Sequence, residues 1–266
     1  MLTVTFMRPA GRFCRAISLC IALLPLAGVQ ADCVVLLHGL ARTAGSMAPM
    51  AEFLEASGFA TANTGYPSRQ LPVEALATRA IQDGLRGCEV EEARRGTKKG
   101  RVHFVTHSLG GILLRQYLSS ATIPPLGRVV MLGPPNQGSE VVDELRHVPG
   151  FKLINGPAGQ QLGTGYDSLP LRLGPVSFPL GVIAGTRSLN PILSAVLPGP
   201  DDGKVTVRSA RVSGMCAFLE VNATHTFMMR DKVVLAQTLQ FLQEGRFAGG
   251  TRCPRVAPLT EARADE

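Results

Sequence analysis

Six short β-favouring runs recur along this 266-residue chain, and helical patterns separate most of them. The runs are CVVLLHG (33–39), FATANT (59–64), VHFVT (102–106), GRVVMLG (127–133), PLGVIAG (179–185) and AFLEV (217–221). Most are apolar without alternation, so both faces of the strand must be covered, as in a parallel sheet. Helical spacing marks 47–58, which stops at Gly58, and 72–85, which starts on Pro72. It also marks 110–120 and a final amphipathic stretch, 232–245. Strands alternating with helices imply βαβ units and one mostly parallel sheet with helices on both faces. No internal repeat is visible, and the length suits a single α/β domain with a full core.

The first 31 residues read as something other than fold. Arg8, Arg12 and Arg15 form a positive start, 16–29 is apolar apart from an interruption at Pro25, and Val29-Gln30-Ala31 offers small residues at cleavage spacing. This is the pattern of a secretory signal peptide. The run falls short of the roughly 20 apolar residues of a transmembrane helix. No twin arginine precedes it, so Sec-type export is expected, to the periplasm or beyond the cell. Neither Cys20 nor Cys33 follows a small residue, which argues against lipid attachment. The expected organisation is therefore signal peptide 1–31, domain 32–249 and a flexible polar tail 250–266. The formal net charge of +7 includes those three arginines and no leader acid, so cleavage leaves +4. The basic stretch 94–101 follows Glu91 and Glu92 and reads as a solvated loop, and no nucleic-acid recognition module is visible.

Cleavage would leave Cys33, Cys88, Cys216 and Cys253. Four cysteines in an oxidising compartment allow three pairings, with buried free thiols as the alternative. No C-x-x-C occurs, so no metal is expected. The helix from Pro72 ends near Cys88 and returns the chain to the amino edge of the sheet, where Cys33 begins the first strand. Proximity therefore favours Cys33–Cys88, leaving Cys216–Cys253.

The segment VHFVTHSLGG (102–111) drives a strand into Ser108 and leaves through Gly110 and Gly111. A serine between small residues at spacing two, on a strand-to-helix turn, is lifted above the carboxyl edge of the sheet. The helix that follows points its first amides at the same place. Thr106 stands where this pattern more often has glycine. The competing reading is a plain helix cap on Ser108. A nucleophilic serine needs a base and an orienting acid. Of His38, His103, His107, His147 and His225, only His225 follows the last strand in a loop that could reach Ser108. Asp201 and Asp202, in the loop PGPDDGKV (198–205), lie between serine and histidine. Asp202 is preferred, with Asp201 as the competing candidate and an ordinary turn pair as the alternative to both.

With LLHGL (36–40), THSLGG (106–111), GPPNQGSEVVD (133–143), DDG (201–203) and THTFMM (224–229) together, the chain resembles the α/β-hydrolase family, especially its bacterial lipase- and esterase-like members. The resemblance runs from about Cys33 to about Leu242. It implies the α/β-hydrolase fold with a small or absent lid, and catalytic residues in the order Ser108, Asp202, His225. It also implies an oxyanion hole from the backbone N–H groups of Leu40 and Leu109, with His38 shaping the first of those loops. No cofactor is implied.

The implied activity is cleavage of a small-molecule or lipid carboxylic ester, with at most transient contact with a lipid surface. Lipase, carboxylesterase, thioesterase and acyltransferase chemistry stay open, as do a peptidase or amidase on the same fold and an idle hydrolase that binds a partner. The 45-residue connection 134–178 is long enough for a small lid or pocket wall. Its Phe151, Leu153, Ile154, Leu162 and Tyr166 would either line an acyl site or belong to the core of a crossover helix.

Overall fold

The computed structural model describes residues 30–123, 125–195 and 197–254. Six strands form one sheet: β1 (Gln30–Leu37), β2 (Ala60–Thr64), β3 (Lys98–His107), β4 (Leu126–Leu132), β5 (Leu180–Gly185) and β6 (Ala217–Val221). Their order is β2-β1-β3-β4-β5-β6, and every neighbouring pair is parallel. All carboxyl ends therefore face one edge. The chain reverses its direction of travel across the sheet after β2, so the crevice beyond β1 and β3 is a natural place for a site.

The helices are α1 (Ala48–Ala56), α2 (Val73–Arg95), α3 (Leu109–Leu118), α4 (Glu140–Leu145), α5 (Phe151–Gln160), α6 (Leu169–Arg172), α7 (Pro191–Ala195), α8 (Val207–Ala210) and α9 (Lys232–Glu244). Successive strand residues serve opposite faces. Val35 and Leu37 of β1 pack with α2 and α3, while Val34 and Leu36 pack with α1 and α9. That two-sided burial explains why the strands lack polar alternation. Asp231 caps α9 by accepting from the Val233 and Val234 amides, and left-handed Gly245 ends it.

Two local expectations need correction. The helix expected over 72–85 runs on to Arg95 and passes through Gly84 and Gly87. These glycines do not stop it; they let it press on the sheet, since a Cβ on Gly84 would strike Val35 and one on Gly87 would lie 2.9 Å from Ala62 Cβ. The basic stretch 94–101 is not a loop either. Arg94 and Arg95 close the last turn of α2, and Lys98 already belongs to β3. Its charged side chains still face solvent, with Arg94 paired to Glu91 at 2.8 Å.

The signal-peptide reading concerns residues that lie, up to 29, outside the described part. Gln30 and Ala31 pair with Lys98 and Lys99 at the start of β1. Of the expected tail, 255–266 lies outside the described residues. Cys253 is buried and bridged to Cys216, and Cys33 is bridged to Cys88, the pairing that proximity favoured. The Cys33–Cys88 bridge joins the first strand to α2 across 55 residues. Replacing both cysteines by serine should lower the unfolding free energy by about 2 to 4 kcal/mol. Urea denaturation reads this directly, and an unchanged midpoint would show that the bridge does not stabilise the fold.

Candidate active site

The turn between β3 and α3 carries Ser108 at φ 52° and ψ −119°, a backbone conformation that side chains rarely adopt. Glycine neighbours make it possible. A Cβ on Gly110 would lie 2.7 Å from the Leu37 carbonyl oxygen and 2.9 Å from Leu37 Cβ, so only glycine lets α3 start so close to β1. Thr106, in the place more often held by glycine, is fully buried and is tolerated. Ser108 N–H donates to the Leu132 carbonyl at 2.9 Å, which fastens the turn to the end of β4. The serine side chain does not act as a helix cap. Its hydroxyl makes no hydrogen bond among the described residues. Strain held at one such residue marks a functional site more often than a structural one.

Beyond β4 stands the acid–base pair. His225 Nδ1 donates to Asp202 Oδ2 at 2.7 Å, with both side chains almost fully buried. The other oxygen of Asp202 accepts from the Lys204 and Val205 amides at 3.0 and 2.9 Å. The His225 amide donates in turn to the Asp202 carbonyl. The carboxylate is thus held from three sides, and the imidazole carries its proton on Nδ1, leaving Nε2 as the basic nitrogen. Asp201 turns elsewhere and accepts from Ser194 Oγ at 2.8 Å and the Gly203 amide at 2.6 Å. Gly133, directly after β4, leaves room for the pair: a Cβ there would lie 2.8 Å from Asp202 Oδ2 and 3.1 Å from His225 Nδ1. Since Ser108 is bonded to Leu132, serine, acid and histidine converge on the same strand end.

The loop after β1 completes the edge. A Cβ on Gly39 would lie 3.2 Å from Ser108 Cβ, so this loop runs beside the serine. The N–H groups of Leu40 and Leu109 have no protein acceptor among the described residues. Ala41, next in the loop, is the other non-glycine residue at positive φ among the described residues, and its amide donates to Ser68 Oγ at 3.0 Å. His38 is buried and braces the same loop: its Nδ1 donates to the Gly39 carbonyl, and its Nε2 accepts from the Tyr66 amide. Its ring stacks on Tyr66 at 3.9 Å, and the Tyr66 hydroxyl donates to the His38 carbonyl. Tyr66 and Ser68 were missed in the sequence. Their signal was the turn GYPS (65–68) at the carboxyl end of β2.

His107, beside the serine, is buried and donates from Nε2 to the His225 carbonyl at 2.9 Å. Its other nitrogen is buried without a partner. Burial, reinforced by nearby His225, holds its pKa well below the usual histidine value. The unfolded chain takes up a proton on this residue as pH falls through 6.5, but the folded chain does not. Stability should therefore be fully present at higher pH and fall between about pH 7 and 5. His107→Gln should flatten that fall in urea midpoints measured across the range. A wild-type midpoint that rises as the pH drops would contradict the burial argument.

The long connection 134–178 holds α4, α5 and α6. Phe151 and Leu162 join the core, whereas Leu153, Ile154 and Tyr166 are exposed. The amino edge of the sheet carries a large cavity, away from Ser108. Of the remaining histidines, His103 accepts from the Arg128 amide and bonds Asp32 at the amino end, and His147 is exposed.

No protein-family model matches the chain, and no curated protein matches it in sequence. Solved structures do match. The mature lipase BlEst2 of Bacillus licheniformis has a TM-score of 0.61 at 19% identity, covering 82% of this chain and 93% of that one. The phospholipase PlaB of Legionella pneumophila gives 0.62 at 17%, covering 81% of this chain, which spans only 61% of that protein. A metagenomic carboxyl esterase gives 0.53 at 22%, covering 74% and 66%. At these identities the likeness shows the fold, and the fold is that of the α/β-hydrolases.

Proposed function

We propose that this α/β-hydrolase-fold chain is an exported serine hydrolase that cleaves carboxylic esters through an acyl-enzyme, with Ser108 as nucleophile, His225 as base and Asp202 as the orienting acid. The observation that carries the reading is the buried Asp202–His225 hydrogen bond at the strand edge where the strained Ser108 turn ends. His225 Nε2 takes the hydroxyl proton as Ser108 Oγ attacks the ester carbonyl. The developing oxyanion receives the Leu40 and Leu109 amides, which are held by the backbone before charge appears. Collapse breaks the ester C–O bond, and the alcohol leaves with the proton from His225. Water then gives its proton to His225, attacks the acyl carbonyl and releases the acid, returning the hydroxyl to Ser108. Catalytic hydrogen bonds are often long in unliganded enzymes and tighten with substrate, so the unbonded Ser108 hydroxyl accords with this role.

Apolar side chains around the same edge support an apolar acyl group. Leu153 and Ile154 are exposed on α5, and a Cβ on Gly159 of that helix would meet the Leu40 side chain at 3.0 Å. Ile192 is exposed on α7, which bonds Asp201 through Ser194, and Phe227 follows His225 by two residues. The solved lipase, phospholipase and esterase with this fold favour the same substrate class. Two disulfides accord with export, and among the described residues no helix is long and apolar enough to cross a membrane. Hydrolysis of p-nitrophenyl esters from acetate to palmitate tests the proposal. Activity in the wild type and none in Ser108→Ala supports it; equal rates in both refute it.

A further inference from the structure

The cavity at the amino edge encloses about 620 Å³, within the range of small-molecule sites. It opens where β4 and β5 begin and α3 ends. At about 1.5 Å per residue, the ten residues of α3 put its far end roughly 15 Å from the Ser108 turn. Its walls are mostly apolar, including Leu118, Ile123, Leu126, Val176 and Phe178. Among the described residues its charged lining is of one sign: Arg101, Arg115 and Arg128, with no aspartate or glutamate.

Arg115 is the unusual member. It is 4% exposed and has no salt-bridge partner among the described residues. Its guanidinium donates to the Asn136 carbonyl and side chain, and to the Pro170 and Gly174 carbonyls. Its Nε is buried without any partner. Carbonyl dipoles orient the group but do not neutralise it. A buried cation left without a counter-charge is costly unless another charge approaches. Burial alone lowers its pKa to about 10, so it stays charged at neutral pH. Arg101 adds an exposed cation at the rim. Clefts lined by one sign of charge, with low-dielectric walls, concentrate ions of the opposite sign.

We infer that this cavity is a second, non-catalytic binding site for a single-chain anionic amphiphile, with an acyl chain along the apolar walls and a carboxylate drawn to Arg115 and Arg101. The volume suits one chain, not the two of a diacyl lipid. The inference does not depend on the ester-hydrolase reading.

The chain has no tryptophan, so Ser119→Trp places a lone reporter on the cavity wall. With Ser108→Ala as background, 12-bromododecanoate should quench this fluorescence saturably. It should bind about tenfold more tightly than 12-bromododecanol, the gain of one charge-assisted contact. Arg115→Gln should erase that preference. Because Arg115 also ties the loop at Asn136 to α6 and the turn after it, Arg101→Gln serves as the second variant; it should weaken the carboxylate about threefold and leave the alcohol unchanged. Absence of saturable quenching would overturn the proposal, as would equal affinity for acid and alcohol. Quenching of a reporter at Leu153→Trp, on the opposite edge, with none at position 119 would also overturn it.

Discussion

Ester turnover by Ser108→Ala is expected to fall by about 10⁵- to 10⁶-fold, and by about as much in His225→Ala. The two losses should match because base and nucleophile act as one unit. A serine hydroxyl at neutral pH is a poor nucleophile until a base removes its proton, and that base has nothing to do without the hydroxyl. The double variant should be little worse than either single one, so the effects should be far from additive. Ser108→Ala should keep the wild-type unfolding free energy to within about 1 kcal/mol, whereas His225→Ala takes the donor from the buried Asp202 carboxylate and should cost about 1 to 3 kcal/mol, so its rate is read under conditions where urea denaturation shows it folded. Additive losses, or a His225→Ala rate within tenfold of wild type, would remove His225 from the reaction.

Asp202→Asn should lower kcat by about 10⁴-fold. The carboxylate accepts from His225 Nδ1 and thereby keeps the proton there, with Nε2 basic. An amide in its place can donate to Nδ1, which reverses the tautomer and removes the base. Asp201→Asn should cost much less, because Asp201 bonds Ser194 and the Gly203 amide and not the histidine. Measured side by side on one ester, the opposite ranking would transfer the orienting role to Asp201. Small equal effects would reject both residues.

These two aspartates mark where sequence legibility stops. Their loop could be found from its Pro-Gly composition and its place between serine and histidine. Both carboxylates are buried, and which of them meets His225 depends on the backbone of DDG, where Gly203 has φ 99°. The six strands and the Ser108 turn were legible for a different reason. β1, β4 and β5 are covered on both faces and are therefore mainly apolar, and α3, which starts against β1, has room only for glycine at its second residue, Gly110. The helical spacing over 72–85 did not reach the true end of α2 at Arg95, and Gly84 and Gly87 lie inside the helix, where they make room for Val35 and Ala62. Tyr66 was hidden because its bonds to His38 join residues 28 apart that only the β1–β2 pairing brings together. Arg115 was hidden as well, since a lone arginine in an apolar helix gives no sign of whether it is paired.

The central claim is that Ser108, His225 and Asp202 form one reactive unit. A fluorescent alkyl phosphonate tests it without knowledge of the substrate, since attack on phosphorus requires an activated hydroxyl and an oxyanion site together. Peptide mapping of the labelled wild-type protein should find a single modified residue, Ser108, among all the serines of the chain. Labelling should vanish in Ser108→Ala and in His225→Ala, and persist, slowed, in His107→Gln. A label on any other serine, or undiminished labelling of His225→Ala, would contradict the account.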